Sequence, residues 1–273
     1  MISRAPRPPL LVVVAGLLSA AGAGGAEAGC AGLGDERAVV AAIGPRGELT
    51  LADGRAARFA GLDVPDAGRG EAETAEDSRA WLGQRLLGRE VALRRLGAKP
   101  DRWGRLLADV ALPGADANPA PLSLALLSAG MARVRPEPEA RDCLAERLAA
   151  EDAARTGGLG LWTDPYYGVV EATDGDDLRG RDGQFAIVEG VVLRVGQGRD
   201  RIWLDFGRRG DFSAVVAARQ AKAFERAGLA LSTLAGARIR VRGAMDNRFG
   251  LRMAISEPDQ IERVGLDEAK PGK

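Results

Sequence analysis

Histidine is absent from this 273-residue chain, and cysteine occurs only twice. Without an imidazole, the chain cannot build a Ser-His-Asp hydrolase triad, a histidine-ligated zinc site or a nuclease centre that uses histidine. Near the N-terminus, residues 10–18 are apolar, but this run is too short to span a bilayer, which takes roughly 20 residues. We therefore expect no membrane span.

The charges balance, with 38 Lys and Arg against 38 Asp and Glu. The whole molecule lacks the strongly basic character that is typical of nucleic-acid-binding proteins. The balance is uneven, because residues 184–264 hold 14 basic against 9 acidic residues, whereas residues 29–163 hold 18 against 20. The basic C-terminal part could support weak binding to a polyanion, although solvated surface charge is the commoner explanation.

Residues 1–28 have the pattern of a secretory signal peptide. Two arginines precede the apolar run, and small residues follow it up to Ala28. We expect cleavage after Ala28 or a few residues earlier, and hence an exported protein that is periplasmic or secreted. The alternative is a lipoprotein anchored through an acylated Cys30, although Glu27 stands where such a signal needs an aliphatic residue.

Export permits a disulfide between the two cysteines, Cys30 and Cys143. We favour this bridge, which would fix the start of the mature chain to a helical stretch at residues 139–155. The alternative is a buried thiol at Cys143 and a free or modified Cys30.

The pattern of apolar residues predicts two units with strands and helices. In the first unit, residues 29–163, short strands are expected over residues 38–43, 48–51, 57–62, 91–96 and 106–112. Helices are expected over residues 72–87, 122–129 and 139–155. Residues 164–183 are rich in Asp, Gly and Tyr without periodicity, which indicates a linker, and residues 267–273 form a polar tail.

The second unit, residues 184–266, has strands before and after a single helix. Residues 238–243 alternate strictly, with Ile239 and Val241 on one face and three arginines on the other. Its aromatic residues are interleaved with arginines, as on single-strand-binding faces, but alternation places several of them in the core. No residue of this unit is assigned to a site.

Two motifs in the first unit suit work on a phosphodiester. Residues 58–66 are RFAGLDVPD and residues 101–105 are DRWGR. Carboxylates hold hard cations or accept a proton from water, and guanidinium groups hold phosphate oxygens and stabilise transition-state charge. In order and spacing these motifs resemble the staphylococcal nuclease-like (thermonuclease) family, and the agreement extends across residues 38–162 to a terminal Gly-Leu-Trp.

The resemblance implies an α+β fold, an OB-type β-barrel with helices, and a second, smaller OB-like barrel like the C-terminal extension of some exported relatives. It also implies a calcium-dependent nuclease in which Arg58 and Arg105 contact the scissile phosphate. Asp63 and the backbone carbonyl of Val64 would bind Ca²⁺, and Asp66 would be the general base.

Two positions depart from the family pattern. Asp66 stands where the family has glutamate, so the carboxylate is withdrawn by roughly the 1.5 Å of one methylene. The Asp-Gly-Asp-Thr turn that completes the calcium shell is also missing, and Glu48 is the candidate substitute; the alternative is that Glu48 is a plain surface glutamate.

Three functions are consistent with these residues. The first is an exported, calcium-dependent nuclease that hydrolyses single-stranded DNA or RNA. The second is a catalytically inert binding or scaffolding module of the periplasm with the same fold. The third is a structural envelope protein whose arginines are only ion-pair partners. The changes at Glu48 and Asp66 separate the first two, because both fall on catalytic positions while the arginines are retained.

Overall fold

The computed structural model describes Cys30, Gly34 and residues 36–66, 72–114, 121–208 and 210–265. The expected signal peptide and the expected polar tail lie outside these residues. Across the described ranges, no helix has the length and apolar character needed to cross a membrane.

A closed five-stranded barrel forms the first unit. Its strands are β1 (Glu36–Ile43), β2 (Leu49–Leu51), β3 (Ala56–Phe59), β5 (Glu90–Arg95) and β6 (Arg105–Ala111), with the two-residue strand β4 (Leu62–Asp63) after β3. They close in the order β1-β2-β3-β6-β5, in which β3 and β6 run parallel and the other neighbouring strands are antiparallel. This is the OB-type order, and the predicted barrel is confirmed.

Three helices cover this barrel: α1 (Ala72–Leu86), α2 (Leu122–Ser128) and α3 (Leu144–Thr156). Leu82 and Leu86 of α1 and Leu126 of α2 are fully buried in the barrel core, because residues three or four apart share one helix face. The helix predicted over residues 139–155 begins later than expected. Residues 138–143 form a 3-10 helix instead, with proline at its first position.

A close backbone approach fixes the end of α2. Gly130 and Gly160 both have positive φ, 68° and 52°, and the N–H of Leu161 donates to the Gly130 carbonyl at 2.8 Å. A Cβ added at Gly130 would lie 2.1 Å from the Leu159 carbonyl oxygen, so any larger residue would push the two segments apart. The short strand β7 (Arg133–Val134) follows and pairs with β4, which places Arg133 opposite Asp63.

The second unit has its own core and the same strand order. Its elements are β8 (Val169–Glu171), α4 (Gly175–Gly180), β9 (Phe185–Val191), β10 (Arg194–Gln197), β11 (Arg201–Asp205), β12 (Ser213–Ala217), α5 (Ala221–Arg226), β13 (Arg238–Asp246), β14 (Arg252–Ile255) and β15 (Ile261–Arg263). Pairing follows β10-β11-β12-β14-β13-β9, with β12 and β14 parallel.

Strands β10 and β9 stand at the two ends of this order, and only Val192 and Leu193 separate them in the chain. The two strands together therefore correspond to the single strand β1 of the first barrel. The second unit is therefore an OB-like barrel, as the sequence predicts. The segment interpreted as a linker, residues 164–183, has regular structure, because it contains a 3-10 helix, α4 and β8. Strand β8 pairs in parallel with β9, so the segment belongs to the second sheet. Its short elements and high Asp and Gly content gave no periodic signal in the sequence.

Buried charges join the two units. Arg242 of β13 is almost fully buried, and its Nη1 lies 2.6 Å from Oε2 of Glu151 on α3, while its Nε donates to Glu262. Burial acts to lower the pKa of Arg242, but the two glutamates outweigh it, so the pKa is raised and the guanidinium stays charged. A second, exposed ion pair joins Arg141 to Asp259.

Cys30 and Cys143 form a disulfide, with Cα atoms 4.8 Å apart. The bond closes a loop across 113 positions of the chain. We expect the oxidised protein to show no free thiol when denatured, and we expect reduction to lower the free energy of unfolding by about 2–4 kcal/mol, because the crosslink restricts the unfolded chain. Thiol titration and thermal unfolding with and without reductant measure both effects. Two titratable thiols in protein from an oxidising compartment would contradict the bond.

Candidate nucleic-acid interface

A cleft rich in arginine opens at the end of the first barrel where β4, the β5–β6 turn and β7 meet. It consists of two adjoining pockets of about 540 and 180 Å³ that share Arg46, Asp63, Val64, Trp103 and Arg135. We call this surface the arginine cleft. Its lining includes six arginines, at positions 46, 58, 102, 105, 133 and 135, and three aspartates, at positions 63, 66 and 101. The excess of positive charge favours an anionic ligand.

Asp101 holds the two arginines that the sequence assigned to phosphate. Its Oδ2 accepts from Nε of Arg105 at 2.9 Å and lies 3.4 Å from Nε of Arg58. The parallel pairing of β3 with β6 puts Arg58 and Arg105 on neighbouring strands. Burial acts to raise the pKa of Asp101, but hydrogen bonds from the side chain and backbone of Arg105 outweigh it, so the pKa lies below its ordinary value.

Glu137 binds the edge of the Arg58 guanidinium group formed by Nη1 and Nη2. Nη1 and Nη2 of Arg58 donate to the two carboxylate oxygens of Glu137 at 3.0 and 2.8 Å, and the N–H of Gly61 donates to the same carboxylate at 3.0 Å. A bidentate pair of this kind sets the plane of the guanidinium group. Glu137 lies 79 positions from Arg58, and no feature of the sequence motifs pointed to it.

Asp63 and Asp66 line the cleft, and each is bonded to an arginine. Oδ2 of Asp63 accepts from Nη2 of Arg133 at 2.8 Å, and Oδ2 of Asp66 accepts from Nε of Arg46 at 2.7 Å. Arg133 is almost fully buried. Its guanidinium carbon lies 5.0 Å from the ring centroid of Tyr167 and 5.1 Å from that of Phe185, so both rings cover it. The pairing of β4 with β7 brings Asp63 to Arg133, and sequence motifs alone do not reveal it.

Glu48 is not among the residues that line the described cleft. Its Oε2 accepts from the backbone N–H of Arg46 at 2.7 Å, within the turn that precedes β2. The structure therefore brings Arg58, Asp63, Val64, Asp66 and Arg105 together around one cleft and leaves Glu48 in a local turn.

These residues do not fit a calcium ion. Calcium takes six to eight oxygen ligands with negative charge close by. Among the residues that the structure describes, no three acidic or cysteine side chains lie close enough together to hold a metal. The three aspartates of the cleft already accept from guanidinium groups, which a cation would have to displace.

Trp103 provides an aromatic face beside the arginines. It is 59% exposed at the tip of the β5–β6 turn, and the guanidinium carbons of Arg102 and Arg105 lie 3.9 and 4.8 Å from its ring centroid. Exposed aromatic rings among basic side chains stack on the bases of single strands.

The second unit builds one wall of the cleft. Gln184, Phe185 and Ala244 line the larger pocket, and the hydroxyl of Tyr166 lies 2.7 Å from Oε1 of Gln184. Nη2 of Arg133 donates to the Phe185 carbonyl at 3.0 Å, so the wall is bonded to the first barrel. The alternation pattern gave no reason to connect these residues with the motifs of the first unit.

Comparison with known protein families finds a match in the first unit. Residues 56–164 match the family model described as staphylococcal nuclease homologue. No curated protein matches the chain. The matched span includes β3, β4, β6 and β7, which carry Arg58, Asp63, Arg105 and Arg133. Residues 56–164 of the chain therefore belong to the staphylococcal nuclease-like family, and the domain that contains them has the OB-type barrel and helices expected of it.

Proposed function

We propose that the arginine cleft binds the phosphodiester backbone of single-stranded DNA or RNA in an exported protein. The observation that carries this proposal is the pairing of Asp101 with both Arg58 and Arg105, which holds two guanidinium groups side by side in a net basic cleft. A guanidinium group carries five N–H donors, so the donors of Arg58 and Arg105 that do not face Asp101 or Glu137 can bind phosphate oxygens, and Trp103 can stack on a neighbouring base.

Binding of a strand in this cleft needs no calcium ion. Arg105 and Arg58 bind and orient the phosphate, and the exposed Arg102 and Arg135 add positive charge. The bonds from Arg133 and Arg46 neutralise Asp63 and Asp66. Neutralising these carboxylates removes the repulsion that they would exert on a polyanion. The cleft is thus suited to holding a strand without a metal.

The second candidate function is calcium-dependent hydrolysis of the strand, and the position of Asp66 favours it. Asp66 lines the pocket next to the one that contains Arg58 and Arg105, so a carboxylate lies close to the proposed phosphate position. A positioned base contributes about 10²–10⁴-fold to a proton-transfer step. Binding is better supported, because Oδ2 of Asp66 accepts from Arg46 and Glu48 lies outside the cleft.

Replacing Arg105 with alanine should weaken binding of a fluorescein-labelled oligothymidylate by about 10- to 100-fold, and Arg58→Ala should act similarly. The reason is that a hydrogen bond to a charged group contributes about 1.5–3 kcal/mol. Fluorescence anisotropy measures the dissociation constants at a fixed salt concentration. Arg194→Ala is the matched control. Arg194 is 74% exposed on the second barrel, and its replacement removes one positive charge, as Arg105→Ala does. Equal affinities for all three variants and the wild-type protein would contradict the proposal.

A further inference from the structure

The two barrels carry equivalent turns. In the first barrel a turn leads from β5 into β6, which runs parallel to β3. In the second barrel a turn leads from β13 into β14, which runs parallel to β12. We call residues 101–105 the first turn and residues 246–252 the second turn. Arg105 begins β6 and is in register with Ala56, and Arg252 begins β14 and is in register with Ser213. Arg252 thus occupies in the second barrel the position that Arg105 occupies in the first.

The same aspartate–arginine bonding shapes both turns. Asp246, which opens the second turn, accepts from the backbone N–H of Arg248 at 3.1 Å and from Nη2 of Arg252 at 2.7 Å. Asp101 accepts from the backbone and side chain of Arg105 in the first turn. The hydrogen bonds from Arg252 and Arg248 hold the pKa of Asp246 well below its ordinary value, so this carboxylate stays charged and keeps both guanidinium groups in place.

An exposed aromatic ring lies at the tip of each turn. Phe249 is 81% exposed, more than Trp103, and the guanidinium carbon of Arg252 lies 5.0 Å from its ring centroid. A glycine with positive φ follows each ring, Gly104 at 78° and Gly250 at 99°, and lets the chain reverse directly after it. Most of the Phe249 ring is therefore open to solvent, where it can contact a ligand.

A pocket lies beside the second turn. It measures about 520 Å³, and its charged lining consists of Arg201, Arg219 and Arg252 against Asp200 and Asp246. Arg58 lies two residues after Ala56, the partner of Arg105, and Val215 lies two residues after Ser213, the partner of Arg252. Val215 is therefore the position equivalent to Arg58. The second barrel therefore keeps the aromatic ring and one arginine of the first site and lacks the second arginine.

We propose that the second turn is a separate contact site for single-stranded nucleic acid, in which Phe249 stacks on a base and Arg248 and Arg252 hold neighbouring phosphates. The turn carries two arginines and one aspartate, so its net charge suits a polyanion. An exposed ring with a guanidinium group over it is the arrangement that binds single strands with little regard to sequence. The inference takes its class of ligand from the proposed function, but the site does not depend on the arginine cleft.

Replacing Phe249 with alanine tests this site, because the ring is exposed and its loss should leave the fold intact. Binding of a fluorescein-labelled oligothymidylate of about 30 nucleotides should weaken by about 5- to 100-fold, the range that loss of one stacked base produces. Phe249→Trp should retain wild-type affinity. Leu193→Ala is the matched control, since Leu193 is 62% exposed on the same barrel and lies outside the turn.

Each outcome separates this inference from the proposed function. Weaker binding by Phe249→Ala, with wild-type affinity for Phe249→Trp and Leu193→Ala, supports the second site. Affinity within twofold of wild type for Phe249→Ala, with weaker binding by Trp103→Ala, overturns the second site and leaves the arginine cleft standing. Weaker binding by Phe249→Ala alone, with no effect of Trp103→Ala or Arg105→Ala, supports the second site and removes the cleft. No binding by the wild-type protein overturns both.

Discussion

Replacing Glu151 with alanine should lower the free energy of unfolding by about 3–5 kcal/mol and the melting temperature by about 10 °C. Glu151 is buried, pairs with Arg242 across the two barrels and accepts from the backbone N–H of Val134 at 2.7 Å. Its loss leaves the charge of a buried arginine poorly compensated, which costs more than an intact pair contributes. Thermal unfolding followed by circular dichroism measures the change.

The exposed pair between Arg141 and Asp259 provides the matched control. It also joins the two barrels, but the Arg141 side chain is 51% exposed, so Asp259→Ala should change stability by no more than about 1 kcal/mol. A double variant, Glu151→Leu with Arg242→Met, should recover much of the loss, because apolar side chains of similar volume can replace a buried ion pair. Equal melting temperatures for Glu151→Ala and Asp259→Ala would contradict the structural role of this pair.

Reversing two charges of the arginine cleft should have the largest effect on binding. Arg102 and Arg135 are exposed and line the cleft, so Arg102→Glu with Arg135→Glu should preserve the fold and weaken binding of single-stranded DNA by at least about 100-fold. The slope of log affinity against log salt concentration should also fall, by about 0.7 for each phosphate contact that is lost. Anisotropy titrations at several salt concentrations measure both quantities.

The control for this variant reverses two exposed arginines outside the cleft. Arg37→Glu with Arg89→Glu changes the net charge by the same amount and does not alter the lining of the described pockets. If the two double variants lose affinity equally, the cleft is not the binding surface, and binding reflects net charge alone.

The sequence was sufficient to predict the elements that form the first barrel. The strand predicted from the apolar run of residues 38–43 and the helix predicted from the spacing in residues 72–87 both hold within one or two residues. The turn residues of the DRWGR motif place Arg105 at the start of β6, since Asp101 and Gly104 set a short local turn. Local chemistry therefore places Arg105 at the start of β6, on the strand next to the one that carries Arg58.

The bonds that neutralise the carboxylates depend on contacts between distant segments. Asp63 meets Arg133 only because β4 pairs with β7, and Arg58 meets Glu137 only because the chain returns past β3. Neither partner stands at a fixed spacing, so the sequence motifs did not reveal these ion pairs. The exposure of Phe249 could not be predicted from the sequence either, because the alternation pattern does not distinguish Phe249 from Phe206 and Phe212, whose rings are buried.

The most direct test of the central claim compares calcium with a chelator. Single-stranded oligothymidylate is titrated with the purified protein in Ca²⁺ and in EDTA at one ionic strength, and the oligonucleotide is then recovered and sized by electrophoresis. The ion pairs of the arginine cleft predict dissociation constants within about twofold of each other and an intact oligonucleotide under both conditions. Cleavage in Ca²⁺ that disappears with EDTA and with Arg105→Ala would contradict the claim and establish hydrolysis in this cleft.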